Sequence, residues 1–580
     1  MNCNDNEVET LEEVRRIVER ASLPPFQRRD MLSAVKRICE MAGMAPATVV
    51  AEPVALRAMI SKILPAAHGV GRKTWSNLLS GLRAALRLAG VIDPALQGDA
   101  SRHPAWAPLA QAIAGDKRLS SGLAPFQNWC AVSGPTPDDV DNAVVRRFHV
   151  WLEHRTLRRK PRDIVRSIPK LWNEASKRIE IWPKTALAPI SFKAPPKRRQ
   201  WCELTESFRR DAEAYLAMRA NPDPFDENPN APKRPLAKST LWQQREHLRL
   251  AASILIESGT VEDIKSLADL VEPEAFKCVL RYYHERANRK PNAFVIVMAK
   301  TLIQVAQFHV GAAPDEVARL KRIAAMLPPI PFDLTAKNRA LLRQLESPRL
   351  RAKLLFLPEE LMAEVVKDLE RGRLALVKAQ MAIAIDLGLS VAPRPQNLSS
   401  LHWQRHFSEP DGPKGRLVLR LPAEETKSRR QEFIAEIPDD VARRLRWYRR
   451  NILPCLNADV NGFLFVTEKG GPKSQETLSQ QITQVIAQRV GIHMTPHQPR
   501  HFCGSSYLEE HPDDLETARL MLGHSSSKTT RIYVGSDGRR ASQVYGDFLF
   551  KQRDALKLKR KLEPKPKPKK KESEDQPCDH

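Results

Sequence analysis

The last hundred residues contain polar side chains whose types and spacing could bind and attack a phosphate. His497 and Arg500 are three residues apart in a proline-flanked segment that favours the start of a helix. Residues i and i+3 share one helix face, so this imidazole and guanidinium could reach the same oxyanion. Gly523-His524 follows, and Tyr533 comes nine residues after that histidine. A tyrosine hydroxyl can act as a nucleophile when a neighbouring group activates it.

The second of these patterns is the more specific one. His-x-x-basic spacings are expected about twice by chance in a chain with this many basic residues, whereas the Gly-His-to-Tyr spacing has a chance probability of roughly 0.01. Two further cations precede the patterns. Arg394 lies where an apolar helical run gives way to a proline-flanked polar turn, and Lys427 lies in a polar segment between two alternating apolar runs.

Arg, Lys, His-x-x-Arg, Gly-His and Tyr in this order resemble the tyrosine recombinase (phage integrase) family over about residues 355–550, a third of the chain. The resemblance implies six catalytic residues: Arg394, Lys427, His497, Arg500, His524 and Tyr533. Tyr533 would attack a DNA phosphate, giving a 3′-phosphotyrosine and a free 5′-hydroxyl. Arg394 and Arg500 would clamp the non-bridging oxygens, because guanidinium groups match phosphate geometry. Lys427 would protonate the departing 5′ oxygen.

The two histidines complete the implied set, His497 assisting proton transfer at the tyrosine and His524 hydrogen-bonding the phosphate. We interpret His501 and His493 as structural. The chain departs from the family at Asn397, where many members have an acidic residue, and at Pro499, where a larger apolar residue is common. An amide cannot fix an arginine by charge, so this departure affects the support of the site. Tyr507 and Tyr545 are competing nucleophiles in the same region.

The charge of the chain indicates a polyanionic partner. Among 580 residues, Lys and Arg exceed Asp and Glu by 25, and residues 551–580 contribute only +5 of this excess. The remaining +20 is spread over the body of the protein, which suits tracking of a DNA backbone. We therefore expect double-stranded DNA as the partner.

Other classes of protein are disfavoured. Eight cysteines are scattered without a Cys-x-x-Cys pair, which argues against a disulfide framework and a cysteine-rich zinc site. The sequence has no P-loop and no convincing carboxylate cluster, so we expect no metal and no cofactor. Apolar stretches such as 294–299 are far shorter than a membrane span, and the N-terminus lacks a signal-like pattern. We expect a cytoplasmic, DNA-associated protein without a membrane partner.

The length and the patterning predict a mainly α, multidomain protein. Helical modules are expected at 1–95 and 100–200, a helical core-DNA-binding domain at 205–330, a catalytic domain at 350–550 and a basic disordered tail at 551–580. In the first 330 residues, three pairs of helical segments suggest a tandem repeat: 31–43 with 75–88, 123–134 with 164–175, and 241–259 with 293–308. The alternating runs RLVLRL and FIAEI predict a small antiparallel sheet in the otherwise helical, mixed α/β catalytic domain.

Taken together, the sequence predicts a site-specific DNA recombinase or integrase that acts through a 3′-phosphotyrosyl intermediate without metal or ATP. Four protomers would act together on DNA, and a need for accessory recombinases stays open. Two alternatives also remain open: a catalytically silent DNA-binding or architectural protein, and a type IB-like topoisomerase or resolvase.

Overall fold

The computed structural model describes residues 8–94, 99–192, 198–227, 231–368, 372–427, 429, 431–534 and 539–562. The chain divides into two compact units. One consists of Met1–Ala188 together with Asp333–His580, and the other of Pro189–Phe332. Helices dominate both units, which confirms the prediction of a mainly α protein.

The N-terminal part of the first unit contains eight α-helices and, among its described residues, no β-strand. Its helices are α1 (Leu11–Arg20), α2 (Pro25–Ala42), α3 (Pro53–Lys62), α4 (Arg72–Leu88), α5 (Ala107–Ala112), α6 (Lys117–Ser133), α7 (Asn142–His154) and α8 (Pro161–Arg178). Helix α2 packs closely on α4, because a Cβ atom at Gly81 would lie only 2.9 Å from Cβ of Ala34. Helices α6, α7 and α8 enclose an aromatic core that contains the buried Trp106, Phe126 and Trp172.

The second unit contains α9 (Glu206–Ala220), α10 (Lys238–Glu257), α11 (Ala268–Val271), α12 (Pro273–Arg286), α13 (Ala293–Val305) and α14 (Pro314–Ala325). A π-helical segment, Ala306–Val310, continues α13. Within the described part of the chain, Ala293–Val310 is the one helix long and apolar enough to cross a membrane by length and composition. Its residues Val295, Met298 and Leu302 are buried in the core of this unit, as in a core helix of a soluble protein.

All six segments that the sequence predicts as paired helices are helical. The two members of each pair pack on each other: α2 on α4, α6 on α8 and α10 on α13. Helix α2 ends at Gly43 and α6 at Gly134, both in the left-handed conformation that glycine adopts without strain. That the pairs form a tandem repeat stays a prediction, as do the domain boundaries.

The remaining part of the first unit begins with α15 (Ala336–Gln344), α16 (Pro348–Leu355), α17 (Leu357–Asp368), α18 (Arg373–Ser390), α19 (Pro395–Ser399) and α20 (Trp403–His406). A sheet of β1 (Phe407–Ser408), β2 (Leu417–Leu421) and β3 (Phe433–Ile437) follows. The last helices are α21 (Asp439–Asn451), α22 (Gln475–Arg489), α23 (Gln498–Glu510), α24 (Leu515–Met521), α25 (Ser527–Thr530) and α26 (Arg539–Leu562).

Helix α18 forms the centre of this part, since it is buried along most of its length and packs against α17, α21, α22 and α23. The antiparallel pair predicted from sequence is confirmed, with Leu417 opposite Ile437 and Leu421 opposite Phe433. Strand β1, which alternation did not predict because it has only two residues, pairs with the other edge of β2. The sequence predicts a disordered tail at 551–580, but α26 is helical to Leu562, so residues 551–562 form part of a helix. Residues 563–580 lie outside the described residues.

Candidate active site

Arg394 is positioned by the turn that joins the buried helix α18 to α19. The turn passes through Ala392, which has a φ of 45° and donates its N–H to the carbonyl of Leu387 at 3.1 Å. A non-glycine residue in this left-handed conformation is strained, and such strain concentrates at functional sites. Arg394 follows as the N-cap of α19, and its Nη2 donates to the carbonyl of Gly523 at 3.1 Å. The first arginine is thereby attached to the Gly-His segment, 129 residues away.

Arg500 lies in the first turn of α23 and is almost completely buried, with 4% of its surface exposed. Its two terminal nitrogens donate to the carbonyls of Ala392 and Leu522, so it links the Arg394 turn to the Gly-His segment. Burial, followed by the charge of Arg394, lowers the pKa of Arg500 to about 10. Both guanidinium groups therefore remain charged at neutral pH, and together they form a cationic centre suited to an anion.

The Gly-His segment owes its form to Gly523. This residue has a φ of 55°, and a Cβ atom there would lie 2.9 Å from the ring of Phe433. The segment presents His524, whose Nδ1 lies 3.0 Å from the hydroxyl oxygen of the fully buried Thr530. Burial, then the charges of the nearby arginines, lowers the pKa of His524 to about 4. His524 is therefore neutral at physiological pH, with Thr530 orienting its ring.

Tyr533 occupies a short turn after α25 and is 7% exposed. Its ring packs against Gly504 of α23, where a Cβ atom would meet the ring at 3.0 Å, and is stacked near His524 with 6.5 Å between ring centroids. Burial raises the pKa of Tyr533 to about 12, although the charge of Arg500 opposes this shift. The tyrosine is therefore protonated in the free protein.

The hydroxyl of Tyr533 lies 3.0 Å from Nδ1 of His501. The sequence led us to regard His501 as structural, but the structure places it at the candidate nucleophile. Burial, followed by the neighbouring His497 and Arg500, lowers the pKa of His501 to about 4, so its neutral ring can accept the hydroxyl hydrogen bond. Its position one helical turn after His497 is the signal that could have revealed it.

His497 is the N-cap residue of α23, which confirms that a helix begins at this segment. Its ring packs on His501 with 5.1 Å between centroids, and its outer part is open to solvent. Desolvation of the inner part, followed by the charges of Arg500, Lys427 and Arg394, lowers the pKa of His497. Lys427 is exposed in the turn between β2 and β3, near enough to His497 for its charge to contribute to this shift.

The turn that carries Lys427 is fixed at its base. Thr426 donates its hydroxyl to the carbonyls of Ala423 at 2.8 Å and Gln431 at 3.0 Å. Asn397 of α19 donates its amide to the carbonyl of Glu425 at 2.9 Å. The residue that departs from the family pattern therefore supports the lysine turn, a task for which an amide donor suffices.

Backbone carbonyls, stacked rings and His501 thus link five of the predicted residues in one region: Arg394, His497, Arg500, His524 and Tyr533. The competing Tyr507 donates its hydroxyl to Asp514 at 2.7 Å, and Tyr545 is 60% exposed on α26. Over the ranges given above, no group of three His, Cys, Asp or Glu side chains could hold a metal ion.

Comparison with known proteins identifies the segment that carries these residues as a recognised class of domain. Residues 357–540 match the model of the phage integrase family. Relatives include the tyrosine recombinase XerD of Staphylococcus saprophyticus, 31% identical over 120 residues, which are 20% of this chain and 40% of that protein. They also include the tyrosine recombinase XerC of Pseudomonas fluorescens, 32% identical over 93 residues, which are 16% of this chain and 31% of that protein. The chain thus spans well under half the length of these relatives.

Among solved structures, a lambda integrase dimer bound to a COC′ core site aligns with 66% of this chain and 89% of its own, at 14% identity and a TM-score of 0.34. The XerA recombinase aligns with 59% of this chain and 98% of its own, at 13% identity and a TM-score of 0.26. The family model covers the segment that carries all six candidate residues. Residues 357–540 therefore form a domain of the phage integrase family, related in sequence to the tyrosine recombinases XerC and XerD.

Proposed function

We propose that this protein is a site-specific DNA recombinase or integrase that breaks and rejoins duplex DNA through Tyr533. The observation that carries the proposal is the convergence of a tyrosine hydroxyl, two neutral histidines and two charged arginines from four separate segments of the chain. Such a set can supply a nucleophile, an anion clamp and hydrogen-bond partners for one phosphate.

In the proposed reaction, the oxygen of Tyr533 attacks phosphorus and the bond from phosphorus to the 5′ oxygen breaks. His501 orients the hydroxyl, and His497 at the open edge assists removal of its proton. Lys427 gives a proton to the departing 5′ oxygen. The phosphodiester energy is retained in the 3′-phosphotyrosyl ester, so a free 5′-hydroxyl can reverse the step without a metal or ATP.

The arginines would stabilise the charge that develops on the phosphate. The hydrogen bonds from Arg500 to two backbone carbonyls and from Arg394 to a third hold both guanidinium groups before DNA arrives. Preorganised donors of this kind commonly contribute about 3–4 kcal/mol each to a transition state. His524, oriented by Thr530, would donate a hydrogen bond from its other nitrogen to the phosphate.

The proposed partner is double-stranded DNA, in agreement with the excess of 25 basic residues over acidic ones. Exchange of strands between two duplexes requires four cleavages, so we propose that four protomers act as a closed assembly on DNA. The protein would accordingly be cytoplasmic and associated with DNA.

A suicide duplex, nicked next to the scissile phosphate so that cleavage releases a short fragment, tests this proposal. Fragments of the DNA that flanks the gene would serve as substrates. Wild-type protein and Tyr545→Phe should form a covalent adduct on denaturing gels, whereas Tyr533→Phe should bind DNA without one. If only Tyr545→Phe lost the adduct, Tyr545 would be the nucleophile instead of Tyr533.

The same substrates separate the alternatives. DNA binding without an adduct in the wild type would favour a silent architectural protein. An adduct with relaxation of supercoils, but without recombinant junctions, would favour a topoisomerase.

A further inference from the structure

A second basic site lies in the N-terminal part of the first unit, outside the phage integrase domain. A cleft of about 610 Å³ opens between α4 and the segment that follows α7. Five of the residues that line it are arginines: Arg83, Arg87, Arg155, Arg158 and Arg159. The site described above does not use any of these residues.

The backbone that carries three of these arginines is held in place. Leu157 is 6% exposed and packs into the core formed by α1, α2 and α4. Arg57 of α3 donates to the carbonyl of Thr156 at 2.6 Å and to the carbonyl of Glu153. The N–H of Asp93 donates to the carbonyl of Arg155 at 3.0 Å. The arginines are therefore presented by a fixed segment, which reduces the entropy lost when they bind a ligand.

The positive charge of the cleft is largely uncompensated. Its one acidic lining residue, Asp93, is bound by Arg155 and by the indole N–H of Trp151. Among the described residues, the guanidinium groups of the other four arginines (Arg83, Arg87, Arg158 and Arg159) form no ion pair and donate no hydrogen bond, although the backbone N–H of Arg158 donates to the hydroxyl of Thr156. Burial, then the charges of Arg87 and Arg158, lowers the pKa of Arg83. Like charges crowded in one cleft favour a polyanion.

We propose that this arginine cleft binds backbone phosphates of duplex DNA and thereby extends the grip of the protein beyond the phage integrase domain. Arginine is the side chain best suited to phosphate, because its planar guanidinium can donate two parallel hydrogen bonds. Donors on two walls of an open cleft fit a continuous backbone better than a small enclosed anion. The inference rests on the proposed function only in taking DNA as the partner.

The test compares two double variants of the full-length protein. Arg158→Gln/Arg159→Gln removes two exposed cleft arginines, whereas the control Arg146→Gln/Arg147→Gln removes two exposed arginines of α7 that do not line the cleft. Binding to a long fluorescent duplex is measured between 0.05 and 0.3 M salt. Two lost phosphate contacts should make the slope of the log association constant against log salt concentration shallower by about 1.8. Binding should weaken about 60-fold at 0.1 M salt. The control should retain the wild-type slope.

A wild-type salt slope in the cleft variant would overturn the inference. An equal loss of affinity and slope in the control variant would also overturn it, because any surface arginine would then contribute equally. Circular dichroism checks that both variants remain folded. Adduct formation on the suicide duplex at saturating protein is a separate readout. It should persist in the cleft variant, and its absence in the wild type would refute the proposed chemistry while leaving the binding result intact.

Discussion

The hydrogen bond between His501 and Tyr533 makes a quantitative prediction about pH. His501 is neutral in the folded protein because burial, His497 and Arg500 lower its pKa to about 4, against an ordinary value of about 6.5 in an unfolded chain. Between these two values the unfolded state binds more protons than the folded state. Stability must therefore fall as the pH drops from 6.5 towards 4.

The size of the effect follows from the two pKa values. At pH 5 the unfolded histidine is almost fully protonated and the folded one only about a tenth, which costs about 2 kcal/mol relative to pH 7. Replacing His501 with glutamine removes this contribution, while the amide oxygen can still accept a hydrogen bond from the tyrosine. We therefore expect the loss of stability between pH 7 and pH 5 to be about 2 kcal/mol smaller in His501→Gln than in the wild type.

Amide hydrogen exchange of α23, corrected for intrinsic rates, measures the opening free energy of this helix within the full chain. Between pH 7 and pH 5, wild-type protection should fall about 25-fold more than that of His501→Gln. His493→Gln, a change at an exposed histidine close to α23, serves as the control and should behave as the wild type. The same pH dependence in His501→Gln and wild type would refute the idea that His501 is held neutral.

A kinetic measurement separates orientation of the nucleophile from simple stability. At pH 7, where the protonation penalty is small, His501→Ala should slow adduct formation while leaving DNA affinity unchanged, and His501→Gln should recover part of the rate. Equal rates in all three proteins would exclude a positioning role for His501.

Three further outcomes test the site and its support. Lys427→Ala should lose adduct formation on ordinary DNA and regain it with a 5′-bridging phosphorothiolate, whose sulfur leaves without protonation. Lys414, exposed in the loop between β1 and β2, is the competing lysine; no rescue of Lys427→Ala, together with loss of adduct formation in Lys414→Ala, would show that Lys427 is not the general acid. Gly504→Ala should destabilise the domain by about 1–3 kcal/mol and reduce adduct formation more than DNA affinity, because the added methyl group displaces the Tyr533 ring. Asp386→Ala should lower the free energy of unfolding by about 1–3 kcal/mol in denaturant titrations, because Arg444 loses the buried carboxylate it binds at 2.7 Å and keeps only the exposed Asp440.

The features that depend on local spacing could be predicted from the residues alone. The His-x-x-Arg pair, the Gly-His segment and Tyr533 were identifiable because three- and nine-residue offsets are preserved along the chain. The β2–β3 hairpin followed from alternation of apolar residues, since successive side chains of a strand point to opposite faces. The six paired helices followed from helical periodicity in the same way.

Which distant groups meet is set by tertiary packing and could not be predicted from local spacing. Whether His501 faces the core or Tyr533 depends on how α23 packs against a turn more than thirty residues later. Asn397 supports the lysine turn because the fold brings α19 to the carbonyl of Glu425. The arginine cleft joins residues about seventy positions apart, between α4 and the segment after α7. Such contacts are set by the packing of whole elements, which leaves no periodic signal in the residues that finally touch.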